Sequence, residues 1–202
     1  MNISGSNYLS MELELIGPLK IYSVNEDNFF NSPSALKSGI YIYAVQVVDM
    51  GYLATYVGET GASYSKRIKE HTVNTMSGYE RIYAPDALQA GKKDLLWDGL
   101  WKSNRQNCFG EFIERYDELA PIISQYIRLF DIFLLPIDST ARIRRRIESS
   151  IARHLMCQPT PISGFIDSDI RYLKNLKDDE SPIDVKISGS SAICGFPYYV
   201  SA

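Results

Sequence analysis

Cysteine and histidine are scarce in this chain. Its 202 residues hold three cysteines, Cys108, Cys157 and Cys194, and two histidines, His71 and His154. An odd, widely spaced cysteine set offers neither a disulfide framework nor zinc-ligand spacing, so reduced thiols in a cytoplasmic protein are expected. His154 and Cys157 make a lone H-x-x-C, too little for a metal site. No apolar run approaches the ~20 residues that a membrane span requires, and no signal-type segment opens the chain. Internal repeats and low-complexity tracts are absent too. Strong charge of either sign is also missing. A net charge of −3 excludes indiscriminate attraction to nucleic acid and confines any basic surface to a local patch. What the chain does have is apolar and aromatic weight, 45% and 12%, with fourteen tyrosines. That is enough for a real core and a single domain over 1–202.

Two segments carry the aromatic weight in a telling way. Residues 39–48 (GIYIYAVQVV) and 52–57 (YLATYV) are rich in β-branched and aromatic residues, with Asp49-Met50-Gly51 as turn material between them. They predict an antiparallel hairpin. Pairing Val47 with Tyr52 around a four-residue loop sets Tyr43 opposite Tyr56 and Tyr41 opposite Gly58. Tyr41 and Tyr56 then become diagonal neighbours on one face. A register one residue away would separate them, so an even-length loop is expected.

Beyond the second strand, Gly58 and Gly61 bracket Glu59-Thr60, a place for close backbone approach. A helix from Ser63 follows, capped by Thr60 or Ser63. Tyr64, Arg67 and His71 share one face of it at i, i+3 and i+7. Arg67 offers a planar, permanently charged fork for phosphate oxygens.

Further along, residues 126–137 (YIRLFDIFLLPI) predict a buried strand ended by Pro136. Asp138-Ser139-Thr140 then offer caps for a helix to about Met156, with Ile143, Ile147, Ile151 and Leu155 as its core stripe. Glu148 sits beside that stripe, one turn beyond Arg144 and Arg145. Arg142, Arg146 and Arg153 add charge that suits a nucleic-acid backbone. The plain alternative for Glu148 is a surface ion pair with Arg144, that for the tyrosines sheet packing, and that for Lys66 and Arg67 a solvated helix face.

The order Gly39-Ile40-Tyr41, Tyr56-Val57-Gly58, then Arg67 and His71 in R-x-x-x-H, then a carboxylate on a later helix, resembles the GIY-YIG nuclease family. That family includes intron-encoded homing endonucleases, some restriction enzymes and the excision-repair nuclease subunit. The resemblance covers 39–71 closely and 126–156 more loosely. It implies that Tyr41 helps activate the attacking water, Tyr56 orients groups at the phosphate and Arg67 stabilises the developing charge. It also implies that His71 assists proton handling and that Glu148 holds one Mg2+ per site, with Mn2+ as a substitute. Gly39 and Gly58 are the motif's structural glycines. Lys66, Arg144 and Arg145 are the expected DNA contacts. Two positions depart from the family pattern: Glu59 stands where some relatives carry lysine, and Pro159–Ser163 holds no asparagine.

The expected fold is α+β, a small mixed or antiparallel sheet flanked by helices, with a nuclease core at 39–156. Residues 1–38 and 157–202 extend it: an added strand and a polar loop over Asn25–Ser38 before it, then a short helix near 168–177 and a terminal strand or hairpin at 183–200. Residues 75–125 form an insertion, in which Leu96, Trp97, Leu100 and Trp101 fit one helical face and Arg81, Lys92, Lys93, Lys102 and Arg105 are candidate DNA contacts. The function expected is restriction-type cleavage of duplex DNA, with two strands to cut and hence a homodimer. A repair or mobile-element nuclease is the nearest variant, and a catalytically idle nucleic-acid-binding module the alternative from another class.

Overall fold

The computed structural model describes residues 9–22, 28–101, 105–167 and 180–202, with side chains from 108 onward in the third stretch. In chain order its elements are β1 (Leu9–Glu14), β2 (Ile16–Lys20), β3 (Gly39–Val47), β4 (Gly51–Thr60) and α1 (Tyr64–Met76). Next come β5 (Ile82–Tyr83), α2 (Pro85–Gln89), β6 (Leu95–Trp97), α3 (Arg105–Glu114) and α4 (Tyr116–Leu129). The chain continues with β7 (Phe130–Pro136), α5 (Ala141–Met156), α6 (Ile162–Phe165), β8 (Ile183–Ser188) and β9 (Tyr199–Ser201). The fold is α+β. No described helix is long and apolar enough to cross a membrane.

The main sheet runs β2-β7-β3-β4, antiparallel throughout, with β3 central and β4 at an edge. Alternation along β3 and β7 divides its faces. Ile40, Ile42, Phe133 and Leu135 point toward α5, whose Ile147, Ile151 and Leu155 are fully buried against them. Tyr41, Ile132 and Leu134 point the other way, toward Tyr64 and Ile68 of α1, with Phe29 and Ala35 closing that layer. A smaller sheet, β1-β8-β9, buries Ile183, Val185 and Val200 in the same core as the α5 layer.

The hairpin departs from the even-length expectation in an instructive way. From Gly39 to Tyr43 the register is the expected one, Tyr41 facing Gly58 and Tyr43 facing Tyr56. From Ala44 on it is one residue off, so Val47 faces Gly51 around the three-residue loop Val48-Asp49-Met50. Asp49 takes φ 62°, a left-handed conformation that its short polar side chain tolerates. A β-bulge absorbs the difference. Thr55 is the extra residue, its hydroxyl donating to the Tyr43 carbonyl (3.2 Å) and its own carbonyl accepting from Asp167 N (3.0 Å). The loop is odd, and the face assignment survives because the bulge restores it.

Other boundaries shift for packing reasons. Tyr126–Leu129 close α4 rather than open the strand, because Ile127 continues the buried Leu119–Ile123 stripe. Residues 95–101 form no helix. Trp97 lies in β6 opposite Ile82, its indole N–H donating to the Gly78 carbonyl (2.7 Å), and Gly99 at φ 86° turns the chain. The expected N-terminal strand is two strands broken at Leu15, feeding different sheets. The expected C-terminal hairpin is present as β8 and β9, with residues 190–192 in a short 3-10 turn. The helix expected near 168–177 lies outside the described residues, as does Lys102; for Arg105 only the backbone is described. The three cysteines are free thiols.

Candidate active site

Two glycines set the floor of the site. Gly39 has φ 144°, and a side chain there would strike the Leu135 carbonyl and the Tyr64 hydroxyl. At Gly58 a Cβ would lie 2.5 Å from Tyr41 Cζ and Oη and 2.6 Å from Tyr56 Cε1. Only the absence of a side chain lets the two tyrosine rings come together over β4. They stack with centroids 5.8 Å apart. Tyr43 joins them, 6.1 Å from Tyr41 and 6.2 Å from Tyr56, each edge-on.

Helix α1 brings the cationic face down onto these rings. Ser63 caps it, accepting from Lys66 N (3.3 Å), while Thr60 shapes the preceding turn by accepting from Ala62 N (3.1 Å). Tyr64 is fully buried and donates to the Leu135 carbonyl (2.7 Å), which fixes the rotation of the helix. One and two turns on, Arg67 and His71 both reach the Tyr41 hydroxyl, at 3.2 Å from Nε and 2.9 Å from Nε2.

The hydrogen-bond roles follow from donor counting. Arg67 Nε–H can only donate and the Glu80 carboxylate can only accept, so the Tyr41 oxygen accepts from Arg67 and a neutral His71 accepts from the Tyr41 hydroxyl at Nε2. That leaves the His71 proton on Nδ1, donated to Glu80 Oε1 at 2.8 Å. Glu80 Oε2 accepts from the Thr75 hydroxyl at 3.1 Å. A chain Arg67–Tyr41–His71–Glu80 results, with one histidine tautomer selected by its carboxylate. Burial, and then the neighbouring Tyr56, raise the Tyr41 phenol well above its ordinary value against the pull of Arg67, so it stands as a neutral hydroxyl. Tyr41 is wholly buried, whereas Tyr56 is only partly covered.

Glu148 is held on α5 beside the fully buried Ile147 and Ile151, on the opposite side of the edge strand from α1. Half-buried, it receives the Glu59 backbone N–H and has no cation within ion-pair distance among the described residues. Desolvation, and then the Glu59 carboxylate, push its carboxyl up to about 7 against the pull of Arg145 and Arg67. A carboxylate pushed up in this way gains from a cation. No cluster of three or more His, Cys, Asp or Glu ligands exists among the described residues. This donor set fits Mg2+, which keeps most of its waters and takes one or two carboxylates plus phosphate oxygens. It does not fit zinc or a calcium cage.

The expected DNA contacts divide. Arg144 is turned inward, its side chain 9% exposed, with Nε on Glu59 Oε2 (3.0 Å) and Nη1 on the Ser139 carbonyl. It pairs with Glu59 and not with Glu148, the partly buried Glu59 carboxylate holding it. Arg145 shares Glu59 (3.2 Å) but keeps its side chain 51% exposed, and Lys66 is exposed on α1. Of the other arginines on α5, Arg153 is exposed and two are likewise spent. Arg142 binds Glu180 (2.6 Å), and Arg146 is buried against the backbone oxygens of Ser181 and Ala202.

One residue at the site escapes sequence reasoning. Glu80 lies in the turn after α1, outside any periodic pattern; its signal is only a carboxylate nine positions beyond the histidine. Tyr43 is legible as a face-mate of Tyr41 two positions on, and its ring meets His71 at 5.9 Å. Compared with known proteins, the chain matches no family model, no curated protein and no solved structure.

Proposed function

We propose that the chain is a metal-dependent endonuclease of the GIY-YIG type that hydrolyses phosphodiester bonds in duplex DNA, acting as a restriction-type double-strand cleaver in homodimeric form. The observation that carries the reading is the hydrogen-bonded chain Arg67–Tyr41–His71–Glu80 at a glycine-cleared strand edge, with Glu148 in electrostatic reach of Arg67 and Tyr56.

Glu148 is the residue that would hold Mg2+ or Mn2+, which when bound supplies Lewis-acid polarisation of phosphoryl oxygens. The rest falls to the protein. Arg67 spends Nε on Tyr41 and Nη1 on Glu70 (3.3 Å), leaving Nη2 for a phosphate oxygen. Drawn onto the phosphate, its guanidinium uncovers a lone pair on the Tyr41 oxygen. The attacking water passes a proton to that oxygen as the Tyr41 proton moves to His71 Nε2. Glu80 holds the imidazole and balances the imidazolium that forms, as in hydroxyl–histidine–carboxylate triads. The bond from phosphorus to the leaving sugar oxygen breaks, and that oxygen takes a proton from solvent. The relay answers the difficulty of a phenol base, since Tyr41 never has to persist as phenolate.

The second reading, a catalytically idle nucleic-acid-binding module, is favoured by Glu59. It stands at the position where some relatives carry lysine, and it ties down Arg144. Cleavage of supercoiled and linear DNA in Mg2+ separates the two. Discrete fragments from the native chain, lost in Tyr41→Phe and Glu148→Ala but not in Lys66→Ala, are expected. Full activity in Tyr41→Phe would remove the relay from the reaction. Inertness on duplex, branched and single-stranded substrates, with DNA affinity retained, would favour the idle module.

A further inference from the structure

Behind His71 and Tyr56 lies a cavity of about 340 Å³ that the relay does not use. Its volume is that of a small-molecule site, for which about 300–1,000 Å³ is usual. The sheet supplies its floor through Tyr43 and Phe130, and α1 one side through His71, Thr72 and Thr75. Most of the remaining wall comes from residues 79–127, so the segment between α1 and β7 encloses a space that the sheet and α1 alone would leave open.

The lining is aromatic with a few polar groups facing in. Tyr79, Tyr83, Trp101 and Tyr126 present rings, a set suited to a planar guest. The Tyr43 ring lies at the floor, its hydroxyl buried behind it without accessible surface or a hydrogen-bond partner. Glu80, already accepting from His71 and Thr75, and Asp167 place carboxylates on the wall. Two cations lie over aromatic rings of the wall, each 5.3 Å from the centroid: Arg81, paired with Asp98 (2.9 Å), over Trp101, and Lys93, which donates to the Ile166 carbonyl, over Tyr83. Flat walls, carboxylates and adjacent cations match a nucleobase carrying a phosphate, and a lipid would leave them unused.

We infer that this cavity is a nucleobase pocket, taking the base of a nucleotide turned out of its duplex beside the cleaved bond. His71 and Tyr56 are walls of both spaces, and Glu80 touches the pocket while orienting His71. A seated base therefore adjoins the group that sets the relay. In placing that nucleotide on a duplex we rely on the nuclease reading; the pocket's chemistry stands without it.

The test is binding in EDTA, so that cleavage plays no part. Calorimetry would compare a matched duplex, a duplex with one bulged nucleotide and the same duplex with an abasic bulge, because an unpaired base costs least to extrude. The four deoxynucleoside 5′-monophosphates and deoxyribose 5-phosphate form the second arm. The bulged duplex should bind at least tenfold tighter than either other duplex, and base-bearing monophosphates tighter than the sugar phosphate. Both differences should vanish in Tyr83→Ala, which opens the wall, and in Leu88→Trp, which fills the space, with folding of each checked by thermal unfolding. Equal binding of the bulged and abasic duplexes, with base-dependent monophosphate binding, would overturn the extruded nucleotide in favour of a free one. No base dependence in either arm would overturn the pocket. Base-dependent binding by a chain that cleaves nothing in Mg2+ would sink the nuclease reading and leave the pocket standing.

Discussion

Glu148→Gln should make the protein more stable at pH 8 and less active, and the size of the gain can be worked from the site. The native carboxyl moves from an ordinary 4.5 to about 7 through burial and the facing Glu59, with Arg145 and Arg67 opposing. At about 1.36 kcal/mol per pKa unit the cost of ionising it in the folded state is about 3 kcal/mol, reduced to about 2 kcal/mol by its remaining solvent contact. The sign follows from proton counting. Between 4.5 and about 7 the folded chain holds more protons than the unfolded one, so this group's stabilisation is full below 4.5 and is lost as pH rises through about 7. Glutamine keeps the shape and removes the charge. Its melting temperature should therefore exceed the native one by about 4–8 °C at pH 8, with the difference closing toward pH 4.5. Millimolar Mg2+ should raise the native melting temperature at pH 8 and leave that of Glu148→Gln unchanged. Calorimetric scans of both proteins from pH 4.5 to 8, with and without Mg2+, make the measurement. A glutamine variant less stable than native at pH 8, or a difference independent of pH, would refute the reasoning.

Four further outcomes are expected. Glu80→Gln should lower kcat by about 10²–10⁴-fold with KM unchanged, because the wrong His71 tautomer faces Tyr41, and Glu80→Asp should recover part of it; a change confined to KM would point to a structural role. Gly58→Ala should cost about 1–3 kcal/mol in urea unfolding and abolish cleavage, since its methyl displaces the Tyr41 and Tyr56 rings. Arg144→Ala should destabilise by about 3–5 kcal/mol by leaving Glu59 partly buried and short of a partner, with no change in the salt dependence of DNA binding. Lys66→Ala should do the reverse, lowering the salt slope by about one at little cost in stability.

What the sequence makes legible is local. Strand alternation places Tyr41 and Tyr43 together, and i, i+3, i+7 spacing places Tyr64, Arg67 and His71, because both rest on backbone geometry within one element. The Ile143–Leu155 stripe locates Glu148 by the same logic. Contacts between distant elements are another matter. The Glu59–Arg144 pair joins positions 85 residues apart, and no periodicity announces that the acid would turn the arginine away from solvent. The length of the hairpin loop is not legible, because a bulge at Thr55 restores a face that the loop alone would lose. Leu96, Trp97, Leu100 and Trp101 mimic a helical face, yet pairing of β6 with β5 and the turn at Gly99 win over that spacing. Glu80 stayed hidden since its role depends on the path of a turn.

The measurement that bears most directly on the central claim is cleavage of supercoiled plasmid by the native chain in H2(18)O with Mg2+, followed by mass analysis of the new termini. Metal-dependent cutting that places one labelled oxygen on the terminal phosphate is predicted, since water is the nucleophile. Absence of cutting with Mg2+ or Mn2+, or termini that carry no label, would contradict the account.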